Sequence, residues 1–198
     1  MPYYQIALFL HILGALGFFI AIGVFYIAVL GVRRAQTAQS IQIWTGAAAG
    51  VSRILFPISA VVLVVAGIYM VVTVWGEHAP WASVALIAFI VLAVGATFIQ
   101  GRRMAALGQS AAGQPENALV AGALQAQAHD AVTWVSVNAS AAFAIGIVYL
   151  MTLKPDAFGS VIALLFALLV GLGFGLLTQG QPAAIPALAP EQRHYTVE

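Results

Sequence analysis

The chain has 198 residues, of which 63% are hydrophobic and only 7% charged, with a mean hydropathy of +1.02 and a net charge of +1. Soluble domains carry about 25% charged residues, so this is a polytopic membrane protein, and its balanced charge, with basic residues scattered at span ends, gives no nucleic-acid partner. Cysteine is absent, which excludes disulfides, thiolate chemistry and cysteine-ligated iron–sulfur clusters and leaves histidine, methionine and carboxylates as metal ligands.

The first element is an apolar run from Ile6 to Val32, closed by Arg33 and Arg34 and interrupted only by His11. At about 1.5 Å per residue it exceeds the roughly 20 residues needed to cross a hydrocarbon core. Its positive charges follow the apolar stretch, whereas a cleavable signal peptide places them before it, so the span is expected to be retained. The helical neighbours of His11 are Ala7, Leu8, Gly14 and Ala15. Small residues mark a face that another helix can approach closely, so His11 is expected to point into the bundle. Such a group is either functional or a buried neutral imidazole bonded to a backbone carbonyl.

Further apolar segments follow at Ile54 to Trp75, Trp81 to Gln100, Ala131 to Leu153 and Phe158 to Leu177. The fold class is therefore all-α, a polytopic transmembrane bundle of five spans over residues 1–178 with an irregular tail over 179–198. Arg33, Arg34, Arg53, Arg102, Arg103 and Arg193 fall on one side and only Lys154 on the other. The positive-inside rule makes the arginine side cytoplasmic, with the N-terminus outside and the tail inside, as expected in a bacterial inner membrane. Tyr3, Tyr4, Trp75, Trp81 and Tyr149 then form an aromatic belt at the outer boundary.

The cytoplasmic connections, Ala35 to Ser52 and Met104 to Asp130, read as long and mildly polar; the outer ones, Gly76 to Pro80 and Lys154 to Ala157, are short. The first four helices are thus expected to form two hairpin-like pairs closed tightly outside. Pro115 and Glu116 read as the first turn of the fourth helix. A short repeat supports the pairing: Gly31-Val32-Arg33-Arg34 matches Gly101-Arg102-Arg103, and the stretch Gly67 to Met70 matches Gly146 to Met151. The fifth span, Leu-rich with Gly171, Gly173 and Gly175, reads as an added outer helix whose glycines serve packing.

On the fourth helix, His129, Thr133, Ser136, Ser140, Ala144, Ile147 and Met151 recur at steps of three and four and form one inward stripe. The hydroxyls there read as interhelical packing groups bonded to their own helix. Asn138 lies off the stripe and is expected to bond a different neighbour.

Depth sorts the ligands. Met70 and Met151 lie near the outer ends of their spans, His11 lies in the outer part of the first, and His78 is in the outer loop, so all four can meet in one outer site. His129 is at the cytoplasmic boundary, too far along the membrane normal to share an iron with His11, and any inner site would pair it with another residue. Imidazole and thioether suit haem iron or copper. The carboxylates all sit at span ends, in loops or in the tail, which argues against hydrolysis or a carboxylate proton relay.

Leu10-His11-Ile12-Leu13-Gly14, together with the later Leu150-Met151-Thr152-Leu153-Lys154-Pro155, resembles the CopD-like superfamily of bacterial integral membrane proteins. That superfamily includes copper-resistance CopD domains, HemJ-type protoporphyrinogen oxidases and an uncharacterised integral-membrane family. The resemblance covers the first four spans. It implies His11 as a haem or metal ligand and Lys154 as the residue closing the fourth span.

The leading expectation is a haem-binding membrane protein, with haem b, in an electron-transfer or redox-accessory role. The alternatives are a copper-handling protein using His11, Met70, His78 and Met151, and a cofactor-free anchor subunit. The implied partners are the lipid bilayer and either the subunits of a redox complex or further copies of the chain.

Overall fold

A computed structural model describes residues 2–76 and 79–180. His78 and all but the first two residues of the tail lie outside them. Helix α1 runs Pro2–Arg34. The second span is one continuous helix formed by α2 (Ala38–Gly50), a π-helical turn at Val51–Leu55 and α3 (Phe56–Val74). The third is α4 (Pro80–Gly95), a π-helical turn at Ala96–Gly101 and α5 (Arg102–Ala112). A short α6 (Gly122–Ala128) precedes the fourth span, α7 (Ala131–Leu153), and the fifth is α8 (Ala157–Thr178). Five helices among the described residues are thus long and apolar enough to cross a membrane, and the fold is the expected all-α polytopic bundle. Its outer surface carries exposed Leu, Ile, Val and Phe along every span, as a lipid-facing surface does.

Glycine decides where the helices touch. A Cβ on Gly14 would stand 2.7 Å from the Leu63 backbone nitrogen, and one on Gly17 would strike the Ser59 hydroxyl, so α1 and α3 approach to backbone contact. On α8, a Cβ on Gly171 would lie 2.7 Å from the Ala139 Cα and one on Gly175 2.8 Å from the Val135 Cα. Gly173 has nothing nearby. The helix therefore uses a small pair four residues apart to seat itself on α7, and the expected packing role holds for Gly171 and Gly175.

Between these two pairs lie three buried clusters. At the arginine end, Ala28, Val32, Ile41, Leu107, Trp134 and Val137 pack together. Phe18, Phe89, Leu92 and Ala144 fill the middle, with the Phe18 ring centroid 5.0 Å from that of Phe89. Ala85, Ala88, Leu150 and Leu164 close the other end.

Four expectations about the connections are corrected. Ala35 to Ser52 is not a loop: after Ala35 to Thr37 the chain is helical again, with Thr37 as N-cap accepting from the Ser40 N–H. The first two spans are consequently a hairpin closed at the arginine end, not at the opposite one. Arg102 and Arg103 stand inside a helix that continues to Ala112, so the third span projects well beyond Gln100. Pro115 and Glu116 do not start the fourth helix. Their segment lies against the beginning of α2, where the Ala38 N–H donates to the Ala118 carbonyl, the Gln39 N–H to Glu116 and the Val120 N–H to Gln36. Residues 116–120 thereby satisfy helix-start donors that have no partner within α2, and this competes successfully with the helical start that Pro115 alone suggests.

The fourth helix begins instead at Asp130, whose carboxylate caps the Thr133 N–H at 2.9 Å, and the fifth at Asp156, which caps Gly159 at 2.7 Å. Between them Lys154 ends α7 in the left-handed conformation, φ 48°, a place usually taken by glycine. Its ammonium lies 4.5 Å from the Trp75 ring centroid and 5.7 Å from that of Trp81. Lys154 thus closes α7 and pins it to the turn between the second and third spans.

Candidate functional site

His11 is half-buried on the face of α1 that meets α3, with Ala7 and Gly14 buried beside it, as its small neighbours imply. Its Nδ1 lies 2.9 Å from the Leu63 carbonyl oxygen. A carbonyl can only accept, so Nδ1 carries a proton, and in the neutral imidazole the lone pair is then on Nε2. Gly67, one turn beyond Leu63, makes room for the ring: a Cβ there would stand 3.0 Å from the His11 Cε1. Three steps of sequence logic therefore set one imidazole. Gly14 admits α3, Leu63 supplies an acceptor and Gly67 leaves the ring its space.

The imidazole borders a cavity of about 530 Å³ at the tryptophan end of the bundle. Met70 of α3 and Met151 of α7 line the same cavity, as do Phe89 and, towards the bundle end, Trp75, Trp81 and Lys154. Three of the four residues assigned to an outer site thus share one cavity, although they come from three different spans. The fourth, His78, is outside the described residues. Met70 and Met151 close the two motifs of the proposed repeat, three and five residues after their glycines, but Gly67 faces α1 whereas Gly146 faces Ala167 and Leu164 of α8. The glycines of the two motifs serve different neighbours.

His129 does not belong with this group. It is the C-cap of α6, not a residue of α7, and its Nδ1 lies 3.1 Å from the Gln125 carbonyl oxygen of its own turn. The inward stripe of α7 therefore begins at Thr133. From there it holds, because Thr133 and Ala144 are buried and Ser136, Ser140, Ile147 and Met151 are half-buried. Two of its hydroxyls serve their own helix region, Thr133 donating to the Asp130 cap and Ser136 to the Thr133 carbonyl. Asn138 bonds elsewhere, as its rotation implies: it accepts from the Tyr26 hydroxyl of α1 at 3.1 Å and donates to the Trp134 carbonyl.

Two polar features were not read from the sequence. The buried Gln100, in the second π-helical turn, donates to the Ser140 hydroxyl at 2.7 Å and to the Ser136 carbonyl at 3.1 Å, tying the third span to the fourth. Its signal was a lone amide at the end of an apolar run. Arg33, noted only as a topogenic charge, lies 4.8 Å from the Trp134 ring centroid and donates to the Gln179 carbonyl just past α8. Trp134 in turn donates to the Thr178 hydroxyl at 3.0 Å. The ends of the first and fifth spans are joined through these side chains.

Among the described residues no cluster of three or more His, Asp or Glu side chains is placed to hold a metal ion. A metal at His11 would take thioether ligands instead. No protein-family model, curated protein or solved structure matches this chain.

Proposed function

We propose that this is a haem-binding integral membrane protein with an electron-transfer or redox-accessory role, holding haem b in the cavity beside His11. The observation that carries the reading is the convergence on one cavity of an imidazole with a free Nε2 and the thioethers of Met70 and Met151. Histidine and methionine are axial ligands of haem iron, and the Leu63 carbonyl is the kind of partner that fixes the tautomer of a ligating histidine. When bound, haem would supply reversible one-electron transfer at its iron. Around it, His11 with Met70 or Met151 would hold the iron, and Phe89 with the α1 and α3 side chains would exclude water. Lys154 lines the same cavity and would meet a propionate carboxylate. The resemblance to the CopD-like superfamily, carried by the residues around His11, agrees with this assignment.

Cavity size favours this reading over a copper-handling protein. One histidine and two thioethers suit copper well, yet a single ion would occupy little of about 530 Å³. The chain would work in a bacterial inner membrane with its arginine end in the cytoplasm, either beside the subunits of a redox complex or with further copies of itself.

An absorption spectrum of the purified protein, with metal analysis on the same sample, tests the proposal. A Soret band that shifts on dithionite reduction, with iron near one per chain, is expected. Copper without a Soret band would favour copper handling, and neither would favour a cofactor-free anchor subunit.

A further inference from the structure

A second cavity, of about 450 Å³, opens towards the arginine end and has no connection to His11. Both π-helical turns border it: Val51, Ser52 and Arg53 from one, and Ala96, Thr97, Phe98, Gln100 and Gly101, followed by Arg102, from the other. A π-helical turn is rare and frequently marks a functional site; here two spans carry one each, at the same cavity. Its walls are mostly apolar, with Phe18, Phe56 and Leu92 beside the buried Gln100 and the half-buried Ser140, whereas the exposed Arg53 and Arg102 stand at its edge. Along the third span, Leu92 lies ten residues from Arg102, about 15 Å of helix. The cavity is therefore a long apolar slot with positive charge at one end.

The two guanidiniums are available to a ligand. Both arginines are exposed, and the only salt bridge among the described residues joins a different one, Arg103, to Asp130. Arg102 is held 4.7 Å from the centroid of Phe98, a neighbouring wall residue, which leaves its N–H edge free to donate.

We infer that this cavity binds an anionic phospholipid, with the phosphodiester on Arg53 and Arg102 and one acyl chain along Phe18, Phe56 and Leu92. Charge complementarity selects the headgroup, because a zwitterionic lipid offers the same chains but adds a cation to a rim that already has two. The apolar length selects a lipid over free phosphate, which would leave the Phe18 to Leu92 region unfilled. The bound chain would complete the packing between the first three spans at the level of the two π-helical turns.

Native mass spectrometry of the full-length protein, titrated with phosphatidylglycerol and phosphatidylcholine of identical chains, tests this. At roughly 1 kcal/mol for each arginine, one phosphatidylglycerol is expected to be retained at about thirtyfold lower concentration than phosphatidylcholine. The double variant Arg53→Gln/Arg102→Gln should remove that preference, and Arg34→Gln, which alters an exposed arginine away from the cavity, should keep it. Ala96→Phe, which fills the slot without touching charge, should weaken both lipids. Equal retention of the two lipids by the wild type, an undiminished preference in the double variant, undiminished binding in Ala96→Phe, or competition by inorganic phosphate as effective as that by the lipid would each overturn the inference.

Discussion

The His11 imidazole donates its Nδ1 proton to the Leu63 carbonyl at 2.9 Å, across the interface between α1 and α3. The contact requires Gly14, where any side chain would meet the Leu63 backbone. Gly14→Leu should therefore force the helices apart, costing about 1–3 kcal/mol as an overpacked interface does, and should lower cofactor content along with the melting midpoint. A variant that melts as the wild type does and keeps its full spectrum would mean that the close approach is not what places His11.

Gln100 gives a contrasting case, a polar tie that does not line the cavity beside His11. Its two hydrogen bonds to α7 join two spans, and such interhelical bonds in membrane proteins contribute on average about 0.6 and at most about 1.7 kcal/mol. Gln100→Leu should lower stability by that order in thermal unfolding, with the absorption spectrum unchanged.

Asp130 serves both as the cap of α7 and as the partner of Arg103. The side chains of the ion pair are 47% and 26% exposed, so solvent screens it and the cap matters more. Asp130→Ala should cost about 1 kcal/mol or somewhat more through the lost cap, and Arg103→Ala less than about 1 kcal/mol. Equal losses in the two variants, measured by thermal unfolding, would assign the energy to the ion pair.

The positive-inside rule expects the arginine end in the cytoplasm, and the sequence has no cysteine to confuse a labelling experiment. Ala35→Cys, at the arginine end, should resist an impermeant thiol reagent in intact cells, whereas Ala157→Cys, at the opposite end, should react. The reverse pattern would invert the topology.

Much of the bundle was legible because a span announces itself through length and apolarity, and His11 stood out as the one histidine, with no Lys, Arg, Asp or Glu, between Ile6 and Val32. That His11, Met70 and Met151 line one cavity agrees with their similar depth, since each lies a known number of residues from a span end, but depth does not say which helix face each side chain occupies. What escaped was settled by backbone hydrogen bonds formed across the sequence. Pro115 carries a helix-start signal, yet residues 116–120 bond instead to the exposed start of α2. His129 fits the spacing of the α7 stripe, but the Asp130 cap starts the helix one residue too late to include it. Gln100 and the two π-helical turns had no periodic signal, because a widened turn depends on what packs beside it.

The central claim is that the free Nε2 of His11 binds haem iron. Its most direct test is the haem content and Soret absorption of His11→Ala beside the wild type, each purified from membranes at equal yield. The account predicts a Soret band in the wild type that is lost or clearly shifted in His11→Ala, with membrane insertion intact. A full wild-type spectrum in His11→Ala would contradict it and leave His11 as a structural donor to Leu63.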